Sequence, residues 1–263
     1  MIRLDKEDEQ FLQRIYELCD RASERYCPQF THFLDARQLE IVRRNISSYS
    51  DRILFVAFGG FSEAERCVGG FLPKDIYGFE QNEQKLYELF DLKAVEICGS
   101  GFSTFSHRDC MGSVLGLGIK RESLGDILVA DDGKKAYVCL SSVAADFVVS
   151  SLEFVSRDKV KTRCIAFENL PRLQRKYQII SSTIASFRLD CVLSAAINVS
   201  REKAKQMIVS GFVKVNHFEQ LRCDFEICEN DLLSVKGYGR YSVSESGGVT
   251  RKGRNRIVIH KMI

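Results

Sequence analysis

Arg188, Ser200, Arg201, Lys203 and Lys205 fall within one short stretch of the chain, and together they could seize a phosphate group. Ser200 is placed to cap a helix by accepting a bond from an early backbone N–H. A helix N-terminus carries partial positive charge and unpaired N–H donors, so Arg201, Lys203 and Lys205 around it would form a phosphate site. Arg188 would add a planar fork suited to bidentate phosphate binding. A second basic stretch, Gly247-Gly248-Val249-Thr250-Arg251-Lys252-Gly253-Arg254-Asn255-Arg256, sets four cations among glycines. At the tip of a hairpin it could track a phosphate backbone. This is chemistry of binding, with no bond made or broken.

Constellations for catalysis do not assemble. His107-Arg108-Asp109 is a fragment of a kinase-like loop without its companion motifs and is better explained as a helix cap. Gly99-Ser100-Gly101 has Thr104 where a dinucleotide fingerprint needs glycine. Ser200-Arg201-Glu202-Lys203 has the Ser-x-x-Lys form without the partner motifs of that chemistry. The ten cysteines include no C-x-x-C, so neither zinc nor a disulfide framework follows from their spacing. They are expected to be reduced core residues, Cys98, Cys139 and Cys164 in strand-like runs among them. No cofactor or metal is expected, and the protein reads as a non-enzyme.

Charge supports the location. Residues 182–263 hold thirteen basic and eight acidic residues, whereas 1–181 hold 25 and 27. The excess of +5 in the last third marks where a polyanion would bind. No apolar run approaches the eighteen or so residues of a membrane span. The acidic start, Met1 to Glu9, lacks a signal peptide's apolar segment. A cytoplasmic location is expected.

The elements that must position these cations can be read from periodicity. Phe11, Ile15, Leu18 and Ala22 recur at helical spacing, and Asp35-Ala36-Arg37-Gln38 has the form of a capping box. Ile53–Phe58 is a strand candidate. Leu92–Cys98 predicts a strand, and Ser106 caps a helix through Met111, Val114 and Leu115. Strands flank the hairpin signal Asp131-Asp132-Gly133, a second helix spans Ser142–Leu152, and a last strand spans Val160–Phe167. This β-α-β-β-α-β order is the split-βαβ pattern of ferredoxin-like and RNA-recognition folds. The stacking aromatics of a typical RNA-recognition strand are missing, so an RNA contact there would be electrostatic, through Lys120 and Arg121. A strand-like stretch, Arg175–Ile180, leads to two short helices, Leu189–Ile197 and Ser200–Ser210. Val213-Lys214-Val215, a turn at Asn216-His217 and a strand at Leu232–Val235 follow. The fold class is α+β in three small domains: 1–75, an N-terminal α+β domain; 76–180, an RNA-recognition-like domain; and 181–263, a helix pair with strands and a basic tail.

Arg188-Leu189-Asp190, Ser200-Arg201 with Ala204 and Ile208, and Gly211-Phe212-Val213-Lys214-Val215-Asn216 resemble the RNA-binding module of small-subunit ribosomal protein S-four over residues 182–240. His217 stands where glycine usually completes the turn, and Glu229-Asn230-Asp231 replaces a common Gly-Asp. Asp190 reads as a cap-region residue. Lys214, Asn216 and Arg240 complete the RNA-binding set. Phe33-Leu34-Asp35, Gly59-Gly60 with Ala64-Glu65-Arg66, Gly116–Arg121 and Gly125–Leu128 extend the likeness. Through them nearly the whole chain resembles the YlmH family of bacterial proteins, encoded in a cell-division gene cluster. That resemblance implies a role in ribosome-associated quality control, on large ribosomal subunits carrying stalled peptidyl-tRNA. The partners would be ribosomal RNA and tRNA, with no membrane and no small-molecule substrate. An RNA-modifying enzyme of pseudouridine-synthase type and a protein-interaction factor in cell division remain as alternatives.

Overall fold

The structure is a computed structural model and describes residues 4–171, 177–250 and 253–262. In the first segment, Asp5 and Asp8 close a capping box that starts α1 (Lys6–Arg25). Its buried stripe is Leu12, Ile15, Cys19 and Ala22. Phe11 and Leu18, expected on that stripe, are only half-buried on its flanks. After β1 (Gln29–Leu34), Asp35 and Gln38 form the expected capping box of α2 (Ala36–Asn45). β2 (Ile53–Phe58) and β3 (Cys67–Pro73) complete an antiparallel sheet of order β1-β3-β2. Two short helices, α3 (Lys74–Tyr77) and α4 (Glu83–Tyr87), lead onward.

The next elements are β4 (Leu92–Cys98), α5 (His107–Gly116), β5 (Leu124–Val129), β6 (Lys135–Ser141), α6 (Ser142–Ser151), the small hairpin β7 (Phe154–Val155) and β8 (Asp158–Lys159), and β9 (Lys161–Ile165). The four long strands form an antiparallel sheet of order β5-β6-β4-β9. Alternation along β4 sends Val95 and Ile97 into a core with Val114 of α5 and Val148 of α6. Ala94 faces the other way and joins Phe33, Phe58, Phe90 and Cys139 in a mainly aromatic cluster shared by both sheets. Gly125 serves that contact, because a Cβ there would sit 2.6 Å from the Phe33 ring. Arg66 fastens it, donating to the carbonyls of Phe33, Leu124 and Arg121 at 3.2, 2.9 and 3.0 Å. Asp126 accepts from the Glu65 and Arg66 backbone N–H groups. The first two sheets thus belong to one compact unit, residues 3–173.

A second compact unit begins at residue 174. It comprises β10 (Tyr177–Ile184), α7 (Leu189–Ile197), α8 (Arg201–Val209), β11 (Val213–Val215), β12 (Phe218–Glu219), β13 (Leu232–Val235), β14 (Gly239–Val249) and β15 (Asn255–Met262). The sheet order is β10-β15-β14-β13-β11-β12. β10 pairs with β15 over its whole length, Tyr177 with Met262 through Ile184 with Asn255. A division at 180/181 would cut this strand. Arg175 and Lys176 lie outside the described residues. Leu189, Val192, Leu193, Ala204 and Ile208 pack the helix pair against Val213, Leu233 and Ile259 of the sheet.

All ten cysteines are free thiols, but not all are core residues. Cys164 and Cys228 are exposed, and Cys27, Cys98 and Cys223 are half-buried. Cys164 departs from expectation because β9 is an edge strand of its sheet. Among the described residues no three His, Cys, Asp or Glu side chains converge to hold a metal ion. No described helix is long and apolar enough to cross a membrane.

Candidate nucleic-acid interface

Helices α7 and α8 are nine residues each, too short to persist alone. Their apolar faces supply the stability, and that packing fixes where their charged ends lie. Ser200 caps α8 as expected, its hydroxyl accepting from the Lys203 N–H at 3.2 Å. Gly211 has φ +73°, the left-handed conformation needed to leave α8 for β11.

The centre of the site is Asp190, in the first turn of α7. Its side chain has no exposed surface. Arg188 approaches it through Nε at 3.2 Å and through a terminal nitrogen at 3.4 Å. Arg201 reaches the same carboxylate through Nε at 3.0 Å and a terminal nitrogen at 2.9 Å. Burial alone would raise the Asp190 pKa, but hydrogen bonds from the two arginines outweigh it and hold the carboxyl below its usual value. One buried anion therefore fixes two guanidinium groups that remain 42% and 50% exposed. The pair keeps net positive charge, with arginine orientations set in advance. Sequence reasoning missed this role for Asp190. The signal was its position two residues from Arg188 on a helix whose buried face is otherwise apolar.

The loop between β12 and β13 closes this site from one side. Its Phe225 and Cys223 carbonyls accept from the Leu189 and Asp190 backbone N–H groups at 2.7 and 3.1 Å. These bonds use up early donors of α7, so the open cationic surface lies with the side chains. The same loop carries Arg222, which forks onto Asp224 at 3.3 and 3.2 Å. Arg222, which the sequence reading did not select, borders the cluster through Asp224, whose charge also acts on Arg188. Lys205 lies 3.7 Å from Glu202 and is 42% exposed, and Lys203 is exposed on the same helix.

Other selected residues stand apart from this cluster. Lys214, Ser234 and Arg240 lie side by side across β11, β13 and β14. Val213, Val215, Leu233 and Val235 alternate with them and face the helix pair. Lys214 and Arg240 therefore occupy the opposite sheet face from Arg188 and Arg201. Asn216 has a structural part: its amide donates to Asp231 at 2.6 Å and accepts from the Leu232 N–H at 2.9 Å. Asn216 and His217 both adopt positive φ, 47° and 72°, so the tight turn forms without its usual glycine. Arg254 bonds to Thr183 of β10 through both its hydroxyl and its carbonyl, rather than standing in an open loop. Arg251 and Lys252 lie outside the described residues. In the first unit, Lys120 sits 3.8 Å from Glu122, and the Arg121 carbonyl serves Arg66.

Comparisons with known proteins agree across the chain. A family model described as "YlmH, N-terminal" matches residues 7–75. A second, "Putative RNA-binding domain in YlmH", matches residues 87–169. The chain is 28% identical over 258 residues to "Ribosome-associated protein quality control protein P2" of Bacillus subtilis, covering 97% of this chain and 96% of that protein. It resembles in fold the solved structure of "Cell division protein ylmH from Streptococcus pneumoniae", with a TM-score of 0.53 and 21% identity. That likeness covers 65% of this chain and 99% of the other. With consecutive YlmH family models falling on its first and second sheets, and a relative matched almost end to end, this chain belongs to the YlmH family.

Proposed function

We propose that this protein is a non-catalytic RNA-binding factor that acts in the cytoplasm on large ribosomal subunits carrying stalled peptidyl-tRNA, gripping ribosomal RNA and tRNA. The observation that carries the RNA grip is the buried Asp190 holding Arg188 and Arg201 together. Two oriented, half-exposed guanidinium groups suit phosphate oxygens, which accept bidentate bonds. The quality-control role is supported by the name of the Bacillus subtilis relative. The finer architecture is part of the same proposal: an N-terminal α+β domain, a central RNA-recognition-like domain and a C-terminal S-four-type module. The strand order β5-β6-β4-β9 supports the second, and the helix pair followed by β11 supports the third. An RNA-modifying role gains no support from Arg188-Leu189-Asp190, because Asp190 is enclosed beneath two arginines and is not open to a substrate base.

The test is salt dependence. Binding of the full chain to a structured RNA weakens with salt by roughly 0.7–0.9 decades per decade of salt for each phosphate neutralised. Replacing Arg201→Ala and Lys205→Ala together should lower that slope by about 1.4–1.8. An unchanged slope would remove the basis for the proposed RNA grip. Sedimentation of the protein with large subunits, reversed by a high-salt wash, tests the ribosomal part.

A further inference from the structure

The four-stranded sheet of the first unit carries a second cationic cluster built on the same device. Ala94, Glu96 and Cys98 of β4 face away from α5 and α6, since their neighbours Val95 and Ile97 fill the helix-side core. At the Ala94 end this outer face is shut by the aromatic cluster of Phe33, Phe58 and Phe90. At the Cys98 end it stays open. There, register places Lys135 and Lys161 on either side of Cys98, and Tyr137 and Arg163 on either side of Glu96.

Glu96 is the anchor. Its side chain is 4% exposed, yet it accepts from Lys135 Nζ at 3.1 Å and from Arg163 Nε at 2.6 Å. The Tyr137 hydroxyl lies 3.5 Å away. Burial acts to raise the Glu96 pKa, but the bonds from Arg163 and Lys135 prevail and hold it low, so the carboxylate stays charged at neutral pH. Arg163 remains 72% exposed and Lys135 47%. Because Arg163 bonds through Nε, its two terminal nitrogens are left for another acceptor. Lys161 is exposed beside them. Three cations against one carboxylate leave the patch net positive. The hairpin tip nearby carries Asp131 and Asp132, and the latter caps the Lys134 backbone N–H at 2.9 Å.

We infer that the open half of this sheet, formed by Lys135, Lys161 and Arg163 around the buried Glu96, is a phosphate-binding surface for RNA. The inference rests on the RNA-binding reading above and names, within the segment matched by the family model of residues 87–169, the side chains that would make a second contact. RNA is favoured as the occupant by the placement of Lys161 and Arg163, two residues apart on one face of β9. Same-face residues of a strand recur every 6.6–6.8 Å or so, comparable with successive phosphates along a ribose chain. Contact through stacked bases is not favoured on the sheet itself, because Tyr137, the ring beside Glu96, is half-buried against the shared core. The surface should therefore bind by charge, with little preference for sequence.

The experiment uses the full chain and a fluorescently labelled RNA hairpin, titrated over a range of salt concentrations. The pair Lys161→Gln and Arg163→Gln should lower the salt slope by about 1.4–1.8, on top of any change from Arg201→Ala and Lys205→Ala. Lys161→Gln alone, at an exposed position without a role in the fold, should lower it by about 0.7–0.9, and Arg163→Lys should leave it unchanged. If the sheet variants bind like the parent while the Arg201/Lys205 pair is weakened, the sheet patch is no RNA contact and the reading of the second unit stands. If neither pair alters binding, both fail. A loss of affinity at unchanged slope would also overturn the inference, since it would reflect damage to the fold.

Discussion

Asp190 illustrates how a single carboxylate can organise a binding surface. Enclosing an ionised acid is costly unless partners compensate, and Arg188 and Arg201 do so from the N-terminal ends of α7 and α8. The acid in turn removes rotational freedom from two long side chains before any ligand arrives. Asp190→Asn keeps the shape but removes the charge, and should cost about 1–3 kcal/mol at neutral pH. Because the folded-state pKa lies below the unfolded value of about 3.9, the ionised form's contribution is complete above that pH. It is lost as pH falls through the folded-state value. Melting temperature followed against pH should accordingly drop more steeply below about pH 4 in the parent than in Asp190→Asn. Parallel curves would dismiss the anchor.

Among the elements, α7 and α8 hold their geometry through packing rather than intrinsic helicity. Leu193 and Ile208 are fully buried between them and the sheet. Leu193→Ala should destabilise the unit by about 2–5 kcal/mol through lost burial and the cavity left behind. Ser200→Ala should cost only about 1 kcal/mol, the usual worth of an N-cap. Urea unfolding of the two variants checks the ranking. A reversal would mean that the cap, and not the shared core, holds α8 in place. Both exits from this region use left-handed backbone, Gly211 at +73° and the Asn216-His217 pair. For His217 the conformation is held by the Asn216 bonds to Asp231 and Leu232.

Over the whole molecule, charge and packing are distributed between two units with different centres. The first is organised by aromatic contact between its two larger sheets and by Arg66, whose guanidinium answers three backbone carbonyls. Burial lowers the Arg66 pKa, and the neighbouring Arg121 charge adds to that effect. Arg66→Ala leaves those carbonyls without their donor and should destabilise the first unit by about 1–3 kcal/mol. Hydrogen exchange at β5 and around Phe33 should accelerate. Unaltered protection there would show that the aromatic cluster alone suffices. The second unit spends its burial on the helix pair and its charge on the surface around Asp190.

Local rules were enough to read the capping boxes at Asp35 and Ser106, the Asp131-Asp132-Gly133 hairpin, both short helices and the cap at Ser200. Each depends on neighbours within a few residues, so chain order carries the information. β1 and β3 escaped, since β3 is apolar throughout, with glycines in its interior, and lacks alternation. The site divided along the same line. That cations gather in the last third follows from composition. Which of them share a surface depends on strand alternation and on residues distant in sequence, which is why Lys214 and Arg240 separate from Arg188 and Arg201. The acids that hold the cations, Asp190 and Glu96, look unremarkable in the sequence because their burial is created only when helix, loop and sheet close around them.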